Sequence, residues 1–555
     1  MKSTEVDVLV VGAGPCGLMI ATELGKRGVS TLVVDKDEGV AAAPQANATQ
    51  ARTMEHYRRL GFADEVRAAG LPRDYPTDVA YFTTFCGHEL ARFEMPSAQD
   101  AVARVKSLYH IWNGPEMPHR VPQSVVESII FKHAQKNESV AIEFNSRVVG
   151  YEQNDEGVTD HVEAVGSGEL REVRARYLFA ADGPQSTVRK AMGVRYEGGD
   201  AGARDFMGGQ MLSVYLDSPE FYKFCKTQKA WMYWSFSCRR RALLAAVDGK
   251  GKFVLQTQLR PGENIESITE SVAGDLFLQA VGAEIPFRIT GFATWLAGRA
   301  LVAERFAEGR VLMAGDAVHL FTPTGGMGYN TAIEDAVNAG WKLAAVLKGQ
   351  ASPQLLLSYE AERKPCAHRN TRFAIGFADS VGLYRPTPAI EEEGIAGDAA
   401  RKRAGAYLAR HASNEFHIPG FSLGARYNTS PVIWHDDTLP PPDMPSVYVP
   451  TGKPGGRAPH VWLENETSLY DEFGFNWTLL NMSGDRAKAS AFVMDAERRG
   501  VSLKILELND PVALDLYETP LALIRPDQIV AWRGEAPDAN GAEQIFDSVL
   551  GFAAG

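Results

Sequence analysis

Glycines and acidic residues recur in this chain directly after short apolar runs, where main-chain groups can hold an anionic ligand. In the stretch 309–347 an apolar run leads into Gly315 and Asp316, and a loop rich in glycine follows. A helix is predicted to begin near Tyr329, because apolar residues recur after it at helical spacing. Free N–H groups and the dipole at a helix start favour an anion. The stretch therefore predicts a site for a polar, partly anionic ligand, with a plain connecting loop as the alternative.

A second such turn lies near the N-terminus, where Gly12, Gly14 and Gly17 form a GxGxxG motif. An apolar run precedes the motif, a helical pattern follows it, and the next apolar run stops at Asp35. Gly12 permits the tight turn, Gly14 lets the backbone approach a pyrophosphate, and Gly17 allows helix and strand to pack closely. Because Asp35 can accept hydrogen bonds from a ribose, the pattern predicts a dinucleotide site. It leaves open whether the dinucleotide is FAD or NAD(P).

Two polar side chains at predicted helix starts are candidate cofactor contacts. Arg52 could meet a flavin or a phosphate, and an ordinary exposed arginine is the alternative. Gln123 can donate to a sugar or ribityl oxygen, but glutamine also occurs at helix starts without any ligand. A third strand that runs into an acidic turn ends at Asp182 and Gly183.

Between residues 206 and 295 the pattern changes to strands in which aromatic and polar residues are interleaved. Such a sheet, inserted between two cofactor turns, is a candidate substrate domain. Ordinary core packing is the alternative for its aromatic side chains. The candidate pocket residues are Tyr233, Trp234, Phe236, Phe253 and Trp295.

Length and composition limit the class of protein. A chain of 555 residues predicts about two or three domains. The net charge of -12 argues against a nucleic-acid-binding surface, and no apolar run is long enough to cross a membrane. The five cysteines are scattered without a CxxC pair, which predicts neither a disulfide framework nor a zinc site. A reducing cytoplasmic location is therefore expected.

Taken together, these sites resemble those of class A flavoprotein monooxygenases, the single-component aromatic hydroxylases. The matching segments lie between residue 1 and about residue 375, and the tail segments 424–431, 454–460 and 523–533 resemble the phenol hydroxylase-like and 2,4-dichlorophenol monooxygenase-like branch. The main segments are VVGAGPCGLMIA with Asp35, ARTMEHYRRLG, VPQSVVES, FAADGPQSTVRK, GRVLMAGDAVHLFTPTGGMGYNTAIEDAVNAGWKLA and SYEAERKP.

The resemblance implies an α/β fold with three parts. These are a Rossmann-like FAD domain of the glutathione reductase type, an inserted mixed β-sheet substrate domain, and a C-terminal thioredoxin-like domain. No cysteine follows Cys366, so the last domain is expected to be structural or dimer-forming. The expected bounds are 1–75, 105–195 and 298–400 for the FAD domain, 76–104 and 196–297 for the substrate domain, and 401–555 for the C-terminal domain.

The resemblance also implies roles for individual residues. The first turn would hold the ADP half of FAD, Asp182 would serve FAD and NADPH, and Asp316 would bind the ribityl chain. Arg52, Asn47 and Pro323 are the expected catalytic residues. The expected cofactor-binding set is Gly12, Gly14, Pro15, Cys16, Gly17, Asp35, Lys36, Arg52, Gln123, Asp182, Gly183, Gly315, Asp316, Pro323, Gly326, Met327, Gly328, Tyr329 and Asn330.

The implied reaction is reduction of FAD by NADPH or NADH, followed by O2 addition to give a flavin hydroperoxide that hydroxylates an activated ring. The expected substrate is phenolic or a polyketide-like aromatic. A Baeyer–Villiger-type oxygenase on the same scaffold is one alternative. A flavin-binding sensor or scaffold without turnover is the other. A homodimer is compatible with the tail.

Three positions depart from the family pattern. Gln45 stands where many relatives have an arginine, and Thr322 replaces the first proline of the usual pair. Asn47 stands where related enzymes often have an acid or a histidine that deprotonates the phenol. Asparagine can hydrogen-bond but cannot act as that base. Either another group is the base, the substrate is already acidic, or no deprotonation is needed.

Overall fold

The computed structural model describes residues 4–41, 47–200, 204 and 206–553. Its central element within these residues is an eight-stranded sheet with a parallel core. The strand Thr4–Val11 pairs in parallel with Thr31–Val34 on one side and with Leu170–Ala180 on the other. Val8 to Val11 are buried, as expected for a parallel sheet covered on both faces. In sheet order the strands are Ala307–Glu308, Val311–Met313, Leu170–Ala180, Thr4–Val11, Thr31–Val34 and Val140–Glu143, with Val158–Ala164 and then Ser146–Gln153 added to Leu170–Ala180.

A seven-stranded sheet forms the substrate domain that the sequence predicts between the cofactor turns. Five of its strands lie in the region after residue 206 where the sequence predicts strands, and the hairpin formed by Val79–Phe82 and Glu89–Phe93 pairs with them. The prediction of an inserted sheet is therefore confirmed. In sheet order its strands are Arg288–Leu296, Gln210–Asp217, Lys252–Gln258, Arg241–Ala246, Met232–Phe236, Val79–Phe82 and Glu89–Phe93.

One long helix, Ile395–Phe416, crosses the expected boundary between residues 400 and 401. It packs against the strands Val79–Phe82 and Glu89–Phe93 of the substrate sheet. A start of the C-terminal domain at residue 401 would divide this helix, which corrects that boundary.

The C-terminal domain carries a four-stranded sheet in the order Leu503–Glu507, Trp477–Asn481, Leu521–Ile524 and Val530–Gly534. The first two strands are parallel and the other pairings are antiparallel. Helices follow the first, second and last strands in chain order, which is the thioredoxin-like arrangement.

The other strands are short, and α-helices of very different lengths surround the sheets. Further strands are Ala48–Thr49, His119–Arg120, Tyr196–Asp200, Arg299–Ala303 and His319–Leu320. The α-helices are Pro15–Gly25, Ala51–Leu60, Ala63–Ala68, Ala98–Arg104, Tyr109–Trp112, Gln123–Gln135, Thr187–Ala191, Phe221–Cys225, Glu270–Val281, Met327–Leu347, Leu357–Gly382, Ile395–Phe416, Pro419–Leu423, Leu469–Glu472, Ser490–Arg498, Pro511–Tyr517 and Ala539–Val549. No helix of the described residues is long and apolar enough to span a bilayer.

A disulfide joins Cys86 to Cys225, 139 residues apart in the chain. The expectation that the cysteines form no disulfide is therefore wrong. Cys86 follows the strand Val79–Phe82 and Cys225 ends the helix Phe221–Cys225, and the substrate domain brings the two together. Cys16, Cys238 and Cys366 are free.

Candidate functional site

A cavity of about 860 Å³ lies where the central sheet meets the substrate sheet. Its wall includes Gly12, Asp35, Asp182, Asp316 and Gly326. The three turns that the sequence predicts separately thus open into one space.

The first turn has the shape that its glycines predict. Gly12 has a φ of +102°, and a Cβ there would lie 2.4 Å from the carbonyl oxygen of Ala181. A Cβ on Gly17 would lie 1.8 Å from the carbonyl oxygen of Gly12, so Gly17 allows the helix to pack on the turn. No atom lies within 4 Å of a Cβ placed on Gly14. The helix Pro15–Gly25 begins here without a side-chain cap, which leaves N–H groups free for an anion.

Asp35 ends the second strand and ties the first turn in place. One carboxylate oxygen accepts from the main-chain N–H of Ala13 at 2.5 Å, and the other accepts from Asp37 N–H at 2.8 Å. Lys36 lines the cavity and pairs with Asp37 at 2.8 Å. The carboxylate is thus oriented at the cavity wall.

Asp182 occupies the corresponding place in the third turn. Its Oδ2 accepts from the main-chain N–H of Thr187 at 2.7 Å. Its Oδ1 is buried and has no partner among the described residues. Burial raises the pKa of this carboxyl above its usual value. Oδ2 therefore accepts a hydrogen bond from the start of the following helix, while Oδ1 beside the first turn remains free to accept one from a ligand.

Gly315 and Asp316 form a short turn that a buried network fixes. Asp335 Oδ2 accepts from Gly315 N–H at 3.1 Å and lies 2.7 Å from His319 Nε2, while its Oδ1 accepts from Arg363 at 2.7 Å. Although burial opposes it, the charges of Arg363 and His319 hold the pKa of Asp335 below its usual value. The Asp316 carboxyl is an exposed group at the cavity wall instead, and the protein around it raises its pKa.

The glycine loop ends in a helix start that points into the cavity. Gly325 and Gly326 have φ values of +67° and +65°, and the helix Met327–Leu347 begins at Met327 without a side-chain cap. A Cβ on Gly326 would lie 2.8 Å from Ala48 Cβ, so only glycine allows the loop to approach this strand. Met327, Gly328 and Tyr329 line the cavity. Their N–H groups lie in the first turn of the helix, where an anion is favoured.

Asn330 has a structural position beside this loop. Its Nδ2 donates to the carbonyl oxygen of Ala48 at 2.8 Å, and its Oδ1 accepts from Gln50 N–H at 2.8 Å. It is not among the described residues that line the cavity. Asn330 therefore holds the strand at Ala48 against the helix start, which corrects its expected direct contact with the cofactor.

Gln123 lies in the cavity wall and is oriented by a buried acid. It is the first residue of the helix Gln123–Gln135, and its Nε2 donates to Glu127 at 2.7 Å. Burial raises the pKa of Glu127. Tyr329 lies in the same wall and hydrogen-bonds to the buried Tyr57.

Arg52 lies outside the cavity. It is buried in the helix Ala51–Leu60, where it pairs with Glu55 at 2.7 Å and donates to the Gln528 side chain at 2.8 Å. The expected contact with the flavin side of the cofactor is corrected, because this helix turns the guanidinium towards the C-terminal domain.

Strand alternation decides which side chains of the substrate sheet reach the cavity. Met232 and Val254 line it. Tyr233 follows Met232 and Phe253 precedes Val254, and adjacent residues of a strand point to opposite faces of the sheet. Tyr233 and Phe253 therefore face away from the cavity and pack against Phe221. Their expected role as substrate contacts is corrected for this reason.

The other predicted aromatic residues lie beyond the cavity, and neither Phe236 nor Trp295 is among the described residues that line it. Phe236 is covered by Tyr384, with ring centroids 5.9 Å apart. Trp295 lies on an edge strand and donates from its indole nitrogen to Ser213 at 2.9 Å. Trp234 is buried and stacks on Tyr81. These positions correct their assignment to the pocket.

Of the remaining expected residues, Asn47 and Pro323 line the cavity. Gln45 lies outside the described residues. Thr322 is buried, with its hydroxyl 3.2 Å from that of Thr324. The expected cofactor residues in the wall are Gly12, Gly14, Pro15, Cys16, Asp35, Lys36, Gln123, Asp182, Gly183, Gly315, Asp316, Pro323, Gly326, Met327, Gly328 and Tyr329.

Three further residues of the cavity wall were not predicted from the sequence. Gln50 donates to the carbonyl oxygen of Gly325 at 2.7 Å, and Glu415 accepts from Gly325 N–H at 3.0 Å. Arg120 also lines the cavity, and its guanidinium lies over the ring of Trp231. Arg120 directly precedes the VPQ segment, which was the one available signal. Glu415 comes from a helix with no recognised motif.

The residues present fit FAD. Two uncapped helix starts open into one cavity, and a Cβ on Gly12 or Gly326 would clash with neighbouring atoms. Such a cavity accepts a pyrophosphate at one helix start and a ring system that gains negative charge at the other.

Comparison with known proteins agrees with this site. Residues 5–374 match the family model for the FAD binding domain, and residues 451–553 match that for the C-terminal domain of aromatic-ring hydroxylases. The aklavinone 12-hydroxylase RdmE of Streptomyces purpurascens is 32% identical over 99% of this chain and 99% of its own length. The phenol 2-monooxygenase of a Pseudomonas species is 29% identical over 99% of this chain and 93% of its own.

Solved structures show the same similarity. The rebeccamycin biosynthetic enzyme RebC with reduced flavin has a TM-score of 0.88 and 30% identity, and all of both chains is covered. The flavin-dependent monooxygenase PieE in complex with FAD and substrate has a TM-score of 0.87 and 27% identity, covering 99% of each chain. The shared FAD domain, the shared C-terminal domain and the cavity between the FAD domain and the substrate sheet establish that this chain belongs to the FAD-dependent aromatic-ring hydroxylases, a family of flavoprotein monooxygenases.

Proposed function

We propose that this chain hydroxylates a phenolic or polyketide-like aromatic compound, with NADH or NADPH as reductant and O2 as the oxygen source. One observation carries the proposal: the predicted cofactor turns and an apolar wall of the substrate sheet share one cavity. Relatives named phenol 2-monooxygenase and aklavinone 12-hydroxylase support both substrate classes.

The first turn would hold the ADP half of FAD. Gly12 and Gly14 would bring main-chain N–H groups to the pyrophosphate, and Asp35 would accept from the ribose. Asp182, with one buried carboxylate oxygen unpaired, would complete this end of the site.

The part of the wall near the start of the helix Met327–Leu347 would hold the flavin. Asp316 and Gln123 would bind the ribityl chain, and Pro323 would lie beside the ring. The free N–H groups at the start of Met327–Leu347 would stabilise negative charge on it. When bound, FAD would supply hydride acceptance and oxygen activation.

The protein's own groups would bind and shield the substrate. Met232, Leu243 and Val254 form an apolar wall that excludes water from the ring. Asn47 would orient a polar substituent by hydrogen bonding, since its amide takes up no proton. We also propose that the protein acts in the cytoplasm, where NAD(P)H is available. We further propose that two copies of the chain form a homodimer.

The test is substrate-stimulated oxidation of NADH or NADPH by the purified, FAD-loaded protein. A panel of phenols and polycyclic phenols is expected to contain compounds that accelerate the oxidation and gain one oxygen atom by mass. With ¹⁸O2, the label should enter a ring hydroxyl. Label in a lactone would instead indicate a Baeyer–Villiger-type enzyme. Flavin binding without stimulated turnover would indicate a sensor.

A further inference from the structure

Arg120 is a buried cation that faces the cavity without an acidic partner in contact. It is 7% exposed, and its recorded contacts among the described residues are Met95 Sδ at 3.4 Å and the ring of Trp231, whose centroid lies 4.4 Å from the guanidinium carbon. A thioether is a weak acceptor, and a guanidinium has five N–H donors. Most N–H groups of the Arg120 guanidinium are therefore available to a ligand in the cavity.

Glu415 is the acid whose charge acts on Arg120, but no ion pair joins the two side chains among the described residues. Its Oε1 accepts from Gly325 N–H at 3.0 Å, and its Oε2 lies 2.9 Å from Nε2 of the buried His411. Burial lowers the pKa of Arg120 to about 10, with Glu415 acting in the opposite sense. Arg120 thus stays charged at neutral pH while its donors lack an anion.

An unpaired buried charge is costly unless a ligand compensates for it. Because Arg120 lies in the cavity that also holds the apolar wall, an aromatic ligand can reach both. The Trp231 ring covers one side of the guanidinium, which leaves N–H groups of Arg120 for hydrogen bonds to a ligand.

We propose that Arg120 binds an anionic oxygen group on the aromatic substrate, either a carboxylate or an ionised phenol. This inference rests on the function proposed above. It also accounts for Asn47: a substrate that binds as an anion on Arg120 needs no base at that position. The strand of Arg120 pairs with Ala48, the residue after Asn47, so the cation and the amide line the same part of the cavity.

The carboxylate form is tested by calorimetric binding of 3-hydroxy-2-naphthoate and of its neutral methyl ester at pH 7.5, well below the Arg120 pKa of about 10. Both are measured with the FAD-loaded protein and again without added FAD. The wild type is expected to bind the acid at least about tenfold more tightly, as for a charge-assisted hydrogen bond. Arg120→Met should bring the two affinities close together, and Arg120→Lys should keep part of the preference.

The phenolate form is tested by the ionisation of bound 4-nitrophenol, followed through its absorbance between pH 5 and 8. Arg120 should lower the pKa of the bound phenol relative to free 4-nitrophenol, and Arg120→Met should remove the shift. Arg147→Met is the control, because Arg147 also lines the cavity but pairs with Glu163 at 2.8 Å. It should leave both readouts unchanged.

A change of either readout in Arg120→Met supports the proposal and identifies the anionic group. If neither readout differs between the wild type and this variant, the proposal is overturned. Loss of FAD with unchanged ligand readouts would assign Arg120 to the cofactor and also overturn it. Arg120→Gln replaces the methionine variant if that protein does not fold. Failure of the proposed function has a different signature, namely a wild type without flavin or without aromatic-stimulated NAD(P)H oxidation.

Discussion

The guanidinium of Arg52 donates to the main-chain oxygen of Asp527 at 2.6 Å, although the two residues lie 475 positions apart. Glu55, which pairs with Arg52, also pairs with Arg457. The helix Ala51–Leu60 is thereby joined to the C-terminal segment through buried charges. Such pairs are sensitive to the loss of one partner, because the remaining charge is left uncompensated.

Arg52→Met is expected to lower the free energy of unfolding by about 3–5 kcal/mol, since it removes one partner from this buried network. The flavin content of the folded protein should not change, because Arg52 lies outside the cavity. Urea unfolding and the absorbance ratio of flavin to protein measure the two effects. Arg171→Met, which breaks a partly exposed pair with Glu143, is the control and should cost less than about 1 kcal/mol. Loss of flavin at unchanged stability would restore the contact that the sequence predicts.

Gly326→Ala should reduce FAD binding at least about tenfold. The substitution places a Cβ 2.8 Å from Ala48 Cβ at a φ of +65°, so the helix start must move. Fluorescence titration of the apoprotein with FAD gives the dissociation constant. Gly376→Ala is the matched control, because no atom lies within 4 Å of its added Cβ. Equal FAD affinity in the two variants would contradict the assignment of this loop to the flavin.

Asp316→Ala should weaken FAD retention, because the carboxylate facing the cavity is the expected acceptor for the ribityl hydroxyls. The loss of one charged hydrogen bond corresponds to about tenfold or more in affinity. Asp316→Asn keeps an acceptor oxygen and should retain more flavin than the alanine variant. The measurement is flavin content after gel filtration, and an unchanged content in Asp316→Ala would count against this role.

Asp160 should make the protein less stable as the pH rises. Both of its carboxylate oxygens are buried and have no hydrogen-bond partner within the described part of the chain, and burial raises its pKa from 3.8 to about 7. A carboxyl with a raised folded-state pKa favours the native state below its unfolded pKa, and this advantage is lost as the pH rises towards 7. Asp160→Asn should therefore stabilise the protein by roughly 3–4 kcal/mol at pH 8 and by much less at pH 5. Denaturant unfolding at both pH values measures this difference, with the exposed Asp155→Asn as control. Equal effects at the two pH values would refute the assignment.

The disulfide between Cys86 and Cys225 predicts a thiol count. Three of the five cysteines should react with a thiol reagent in the denatured, unreduced protein, and all five after reduction. Mass spectrometry of the alkylated protein gives the count directly. Cys86→Ser should raise the unreduced count from three to four, because it frees Cys225 and leaves four cysteines in the chain. Five reactive thiols in the unreduced wild type would exclude the bond.

Local patterns were sufficient wherever the function depends on a turn between adjacent elements. Gly12, Gly17 and Gly326 each stand where a Cβ would clash with main chain or a neighbouring strand, and each was predicted from a strand, a glycine turn and a following helix. The three turns, the inserted sheet and the C-terminal domain follow from such patterns together with the family resemblance.

The tertiary structure alone decided what faces the cavity. Tyr233 and Met232 are neighbours in sequence, and the pairing of distant strands puts one in the core and the other in the wall. Among the described residues the Arg120 guanidinium contacts a thioether and an aromatic ring, whereas Arg52 contacts a carboxylate and an amide, because different remote segments surround the two arginines. The sequence determined where the chain turns and where it can hold a nucleotide, because those properties depend on neighbouring residues. Whether a side chain points into the cavity or into the core depends on contacts between segments that are far apart in sequence, and these contacts exist only in the folded chain.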